Sequence, residues 1–336
     1  MIQSINGLAQ AVFPDDGGIG AAEPVGPVDF LAQGGDIANR MEFEDGRQIQ
    51  SAAASFGQFR ADYLEGLTLT TAAGSRTPVF MVPGNHDVSN AIGFYRPMTP
   101  AVDPTSFVEI FNRVMAPEVP KTAASFNYAD DRVNYSREVG GLHFLFINIW
   151  PDSQERRWME QDLARVASDT PVVVVAHDQI EGEGKHFTNP KGAHAITATE
   201  RFENLLADQF ADDDIGAPGL PEQRALEAFL RRHPNITAYF HGNSNWNQFY
   251  DYVGPDRSVV VHAVRVDSPM KGRFSNADET RLSYQIATID SVTRLMTVRE
   301  VLWNTARAAG TPVWGSSTTV ALSPRPQRLL RSSAGD

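Results

Sequence analysis

Apolar residues along this chain fall into short unbroken runs that stop abruptly at polar turns. Val28 to Gln33 runs into Gly34-Gly35-Asp36, and Pro78 to Val82 into Pro83-Gly84-Asn85-His86-Asp87. Pro171 to Ala176, rich in valine, ends in His177-Asp178, and Ile236 to Phe240 leads into His241-Gly242-Asn243-Ser244-Asn245. Short β-branched or aromatic runs without alternation predict strands buried on both faces. Between them, Gln48 to Leu67 places Phe56, Phe59, Tyr63 and Leu67 at helical spacing, and helices are also predicted over Glu155 to Ala167 and Pro221 to Arg231. Strands alternating with helices imply βαβ units, whose ligands sit beyond the carboxyl ends of the strands. The four polar turns should therefore converge.

Three further segments alternate as antiparallel strands do: Asn134 to Ile149 around Gly140-Gly141, Gln248 to Val264, and Ser283 to Leu302. They predict a second sheet packed on the first. His143 reads as a strand residue in this pattern, and His233, before Pro234, as the end of a helix. From Thr305 onward Gly, Ser, Pro and Arg dominate, so the expected organisation is one domain over 1–304 followed by a flexible tail over 305–336.

Composition narrows the partners. With 41 acidic against 29 basic side chains the formal charge is -12, which repels polyanions and makes nucleic acids and anionic membranes poor partners. No apolar run approaches the roughly 20 residues of a membrane span. Met1 to Gln10 lacks a basic start and an apolar stretch, so cytoplasmic placement is the default expectation. Periplasmic or secreted placement would need a signal upstream of Met1. The chain has no cysteine, so a bound metal must be held by carboxylate, imidazole, amide or water.

In this order and at these strand ends, Gly35-Asp36, Gly84-Asn85-His86-Asp87, His177 and Gly242-Asn243-Ser244-Asn245 resemble the motifs of calcineurin-like metallophosphoesterases. The likeness spans most of residues 28 to 303. That family reads Asp-x-His, Gly-Asp, Gly-Asn-His-Glu or Asp, a lone His and Gly-His-x-His. The resemblance implies an α/β sandwich: two mixed β-sheets packed face to face and flanked by helices. It also implies a metal-dependent phosphoric ester hydrolase, a phosphomonoesterase or phosphodiesterase, acting on a small-molecule phosphate ester through metal-bound hydroxide. Asp36 would be the bridging carboxylate, Asn85 and His177 ligands of the second metal, and His86 the general acid oriented by Asp87. Asn243 and Asn245 stand at the last two ligand positions. Lys185, His186 and His194, with Arg265 and Lys271, lie where they could meet the phosphate.

Two departures accompany the resemblance. No histidine precedes His86, so the opening Asp-x-His and the usual first strand are missing, as a truncated or misassigned start would leave them. Asp15 and Asp16 lie in a Pro/Gly loop and do not replace them. Both histidines of Gly-His-x-His are asparagines, whose amide oxygens suit Mn²⁺, Mg²⁺ or Ca²⁺ better than Fe or Zn. One or two divalent ions are expected. The alternative is a catalytically impaired binding protein of the same fold, retaining one metal or none.

Overall fold

A computed structural model describes residues 1–37, 42–44, 47–88, 104–192, 202–210, 220–268, 272–305 and 312–324. In chain order the strands are β1 (Leu31–Gln33), β2 (Glu42–Glu44), β3 (Arg47–Gln50), β4 (Val79–Met81), β5 (Tyr135–Val139), β6 (Leu142–Phe146) and β7 (Val172–Val175). They continue as β8 (Ile236–His241), β9 (Gln248–Tyr252), β10 (Val261–Arg265), β11 (Ser283–Asp290), β12 (Leu295–Leu302) and β13 (Val313–Ala321). The helices are α1 (Ile2–Asn6), α2 (Ala52–Phe59), α3 (Asn85–Val88), α4 (Thr105–Met115), α5 (Ser153–Leu163) and α6 (Leu220–Arg232). None of those described is long and apolar enough to cross a membrane.

The central layer is one six-stranded mixed sheet in the order β5-β6-β7-β8-β10-β9. Its four inner strands run parallel, and β5 and β9 close the edges antiparallel. The valine run of β7 and the whole of β6 are buried, as strands covered on both faces must be. The helices that follow are set by their caps: Asp152 accepts from the amides of Gln154 and Glu155 and starts α5.

The division between sheets differs from the sequence reading. Asn134–Ile149 and Gln248–Val264 do not join a second sheet; they supply β5, β6, β9 and β10 to the first. Burial on both faces, which alternation does not reveal, draws β6 and β10 into the parallel layer. The strands before Asp36 and Asn85 lie outside it: among the described strands β1 pairs with β4, in parallel, and with no other. The four polar turns thus come from two layers. Phe30 and Phe80 join those layers, with ring centroids 5.0 Å from Phe144 and 5.4 Å from Phe146 respectively.

The antiparallel sheet β11-β12-β13 covers the same core through Met296, Val298 and Leu322. Its third strand corrects the tail expected from Thr305: Val313–Ala321 pairs with β12 along most of its length. This edge strand is open to solvent at Gly315, Ser316, Ser317 and Thr319, so its Ser and Thr positions read as loop although Thr and Val favour extended backbone. A cavity of about 400 Å³ lies between the layers, walled by Leu31, Ile286 and Ile289 and by Phe144 and Phe240 of the six-stranded sheet.

The N-terminal loop is pinned by an ion pair. Arg299 on β12 is 1% exposed; its Nε and Nη2 donate to the two carboxylate oxygens of Asp16 at 2.9 and 2.8 Å, and it covers the Phe13 ring at 4.4 Å. The Arg299 hydrogen bond holds the Asp16 carboxyl down at about 2, so its stabilising contribution is present above pH 3.8 and is lost as pH falls toward 2. Asp16→Ala would strand a buried guanidinium, and should cost about 3 kcal/mol in urea unfolding. A loss below about 0.5 kcal/mol, as for an ordinary loop residue, would contradict this account.

Candidate functional site

The turn after β1 folds on its own side chain: Gln33 Nε2 donates to Gly35 O at 2.8 Å, and Gly35 N donates to Gln33 Oε1 at 2.7 Å. Gly35 has φ +102°, and a Cβ there would lie 2.3 Å from His177 Nδ1 and 2.7 Å from Gly84 N. A Cβ on Gly84 would meet Asp36 Oδ1 at 2.2 Å. Both positions need glycine because the two turns and an imidazole are pressed together. Asp36 itself holds φ +54°, a strained backbone of the sort that collects at functional sites.

Asp87 fastens these turns to each other. Its Oδ2 accepts from Gly84 N at 2.9 Å and from Ile37 N at 3.0 Å, and its Oδ1 accepts the Ser106 hydroxyl at 2.6 Å. These bonds give Asp87 a part in shaping the site that the motif alone did not suggest. Asp36 Oδ1 accepts the His86 amide at 3.0 Å, and the His86 ring stands with Nδ1 3.8 Å from Asp36 Oδ2, still partly open to solvent.

His177, buried at the end of β7, brings the other layer to these turns. Its Nδ1 is 2.8 Å from the carbonyl of Gly34, which only accepts, so this nitrogen carries a proton. In the neutral ring Nε2 is then a lone pair, and it faces Asn85 Oδ1 at 3.2 Å and Asp36 Oδ1 at 3.5 Å. The amide orientation follows from its other end, where Asn85 Nδ2 donates to Glu203 Oε2 at 3.1 Å. Three acceptors therefore converge with no proton between them unless the ring takes a second one. That donor set fits a divalent cation, with one carboxylate, one amide oxygen and one imidazole. Among the described residues no group of three His, Asp or Glu side chains is placed to hold a metal, because here the third donor is an amide.

The remaining candidates divide. Gly242 N donates to His177 O at 2.9 Å, which seats the Asn243 turn against the site; the Asn243 amide itself donates to Gln179 Oε1 at 3.4 Å. Asn245 turns its carbonyl to Arg273 N at 3.1 Å. Arg265 ends β10, in register with His241. His194 and Lys271 lie outside the described residues.

His186 is a correction. The sequence places it on a loop near phosphate, yet it is fully buried, with Nδ1 2.7 Å from Asp178 Oδ2 and Nε2 3.3 Å from Glu203 Oε2. Lys185 Nζ stands 4.0 Å from Glu203 Oε1. Sequence reasoning missed Glu203 and Asp178, although Asp178 directly follows the lone histidine. Glu203 sits in a segment without periodicity, and only the fold shows that it orients Asn85. Burial alone would lower the His186 pKa, but Asp178 and Glu203 outweigh it and raise it to about 10. A raised folded-state value stabilises fully below 6.5 and loses its effect as pH rises to about 10. The melting temperature of the wild type should therefore fall more steeply across that window than that of His186→Gln; parallel curves would refute the buried imidazolium.

His241, one residue before the Gly242 turn, behaves oppositely. Burial and then the charge of Arg265 lower it to about 3, so it is neutral, with Nε2 3.1 Å from the Tyr250 hydroxyl.

Comparison with known proteins gives one family: the model for calcineurin-like phosphoesterases matches residues 9–206. No curated protein matches. Among solved structures, a dimetal phosphatase from Danio rerio is similar at 10% identity and a TM-score of 0.42, over 80% of this chain and 77% of that one.

Proposed function

Because the chain belongs to the calcineurin-like phosphoesterase family, we propose that it hydrolyses a phosphoric ester of a small molecule, with His86 as the proton donor to the leaving oxygen. The family implies metal-dependent phosphoester chemistry; the substrate class and the role of His86 are the proposal. It rests above all on the meeting of Asp36 Oδ1, Asn85 Oδ1 and His177 Nε2, three acceptors that a cation between them would satisfy.

These three residues would hold the cation, with Asn243 beside them on the turn fastened to His177. Once bound there, a hard divalent ion supplies a Lewis acid that withdraws charge from phosphoryl oxygens. The chain's own residues do the rest. The Gly34 carbonyl keeps His177 in the tautomer that offers Nε2, and Glu203 keeps the Asn85 oxygen turned inward. Asp36 sits between that donor set and His86, whose partly exposed ring can hold a proton where an ester oxygen departs. The acidic surface of the chain, at -12, favours a small substrate over a polyanion.

A second reading is that the chain binds a phosphorylated compound without turning it over. Asparagine at positions 243 and 245, where the family has the two histidines of Gly-His-x-His, favours it. Hydrolysis of p-nitrophenyl phosphate and bis(p-nitrophenyl) phosphate with added Mn²⁺ separates the two. His86→Ala should lower kcat by about 10²-fold. Asp36→Asn should lose bound metal by elemental analysis. Activity that survives undiminished in both variants would remove this site, whereas metal binding without turnover in the wild type would favour the binding protein.

A further inference from the structure

Two arginines near the Asn245 turn have no acidic partner in ion-pair contact among the described residues. Arg265, at the carboxyl end of β10, is 9% exposed, and its guanidinium lies over the Trp246 ring at 4.1 Å and 5.7 Å from that of Tyr250. Arg273 approaches the same indole ring at 5.2 Å and the ring of Phe274 at 5.3 Å. Neither has a carboxylate within 4.0 Å among the described residues, and the Nε of Arg265 is buried with no acceptor. Glu181 is the carboxylate Arg265 feels from further off, and its Oε2 already takes the Tyr250 hydroxyl at 2.9 Å. Two cations thus share one indole, with no carboxylate among the described residues in ion-pair contact with either.

We propose that Arg265, Arg273 and Trp246 form a binding site for a second phosphoryl group, which makes the substrate a diphosphate-class compound rather than a simple monoester. This rests on the phosphoesterase reading for the first phosphoryl group.

The position supports it. Arg273 N is bonded to Asn245 O, and a Cβ on Gly272 would fall 1.9 Å from that oxygen, so the arginine segment lies directly on the turn. Asn243, two residues back, is at most about 7 Å along the chain, and its turn is bonded to His177. The guanidinium of Arg265 is also held in place: Gln248 Oε1 accepts from Arg265 Nη1 and, at 3.2 Å, from Trp246 Nε1. A planar fork fixed in this way, with a free Nε–H, suits the oxygens of a phosphoryl group. Burial lowers the Arg265 pKa, and the neighbouring charge of Arg273 adds to it; an anion between them would relieve both. An Arg stacked on Trp is often only a structural contact. The unmet donor and the second cation on the same ring are what a structural stack does not need.

The test compares binding of methylenediphosphonate with that of methylphosphonate to the Mn²⁺-loaded protein by calorimetry, with metal in excess. The wild type should prefer the diphosphonate by about tenfold or more, the worth of one charge-assisted hydrogen bond. Arg273→Gln, an exposed position that tolerates change, should erase most of that preference. Arg265→Lys, checked for folding by circular dichroism, should weaken it by losing the fork. Equal affinities in the wild type, or an undiminished preference in Arg273→Gln, overturn the proposal. Selectivity without turnover of either nitrophenyl ester would uphold the anion site while removing the hydrolase reading, and turnover without selectivity would do the reverse.

Discussion

Everything at the candidate site depends on a close approach of main chain. The turns after β1 and β4 pass each other and the His177 ring at distances that leave no room for a Cβ at Gly35 or Gly84. Only that contact lets Asp36, Asn85 and His177 reach one point from three strands in two layers. Asp87 holds the approach by accepting amides from both turns, and Asp36 takes a left-handed backbone to complete it. A folded chain tolerates such strain where surrounding structure over-determines it. Here the surrounding structure is the aromatic packing of Phe30 and Phe80 on Phe144 and Phe146.

Around this point the polar network is layered. Gly34 O selects the tautomer of His177, Glu203 selects the face of the Asn85 amide, and His186 with Asp178 anchors Glu203. Each shell removes one freedom from the shell inside it, which is how donor sets are kept ready for a ligand. The buried imidazolium, with Lys185 near Glu203, offsets the two carboxylates beside the donors.

Strand ends were the legible part of the sequence, because buried strands are written as β-branched runs and turns as Gly, Asn and Asp. Asp36, Asn85, His86 and His177 could be named for that reason, and the fold does bring them together. Sheet membership was less legible: β6 and β10 carry side chains that read as alternating, but what places them is cover from both sides, a tertiary fact. Val313–Ala321 reads as tail because an exposed edge strand rich in Ser and Thr looks like loop in composition. Glu203 and the burial of His186 could not be read, since both depend on residues 203–206 bonding back to the main chain of Lys185 and His186, and no local period marks that pairing.

The second layer is made of separate pieces. The β1–β4 pair, which carries Asp36 and Asn85, shares no backbone ladder with β11–β13 or with the sheet that carries His177. Its seat is ring contact, pinned to the six-stranded sheet by the Tyr135 hydroxyl, which bonds both Met81 N and Met81 O at 2.9 Å, and by the His177–Gly34 bond. A shift of the pair along the sheet would break both Tyr135 bonds at once, so one phenol on an edge strand helps to set how far Asp36 and Asn85 stand from His177.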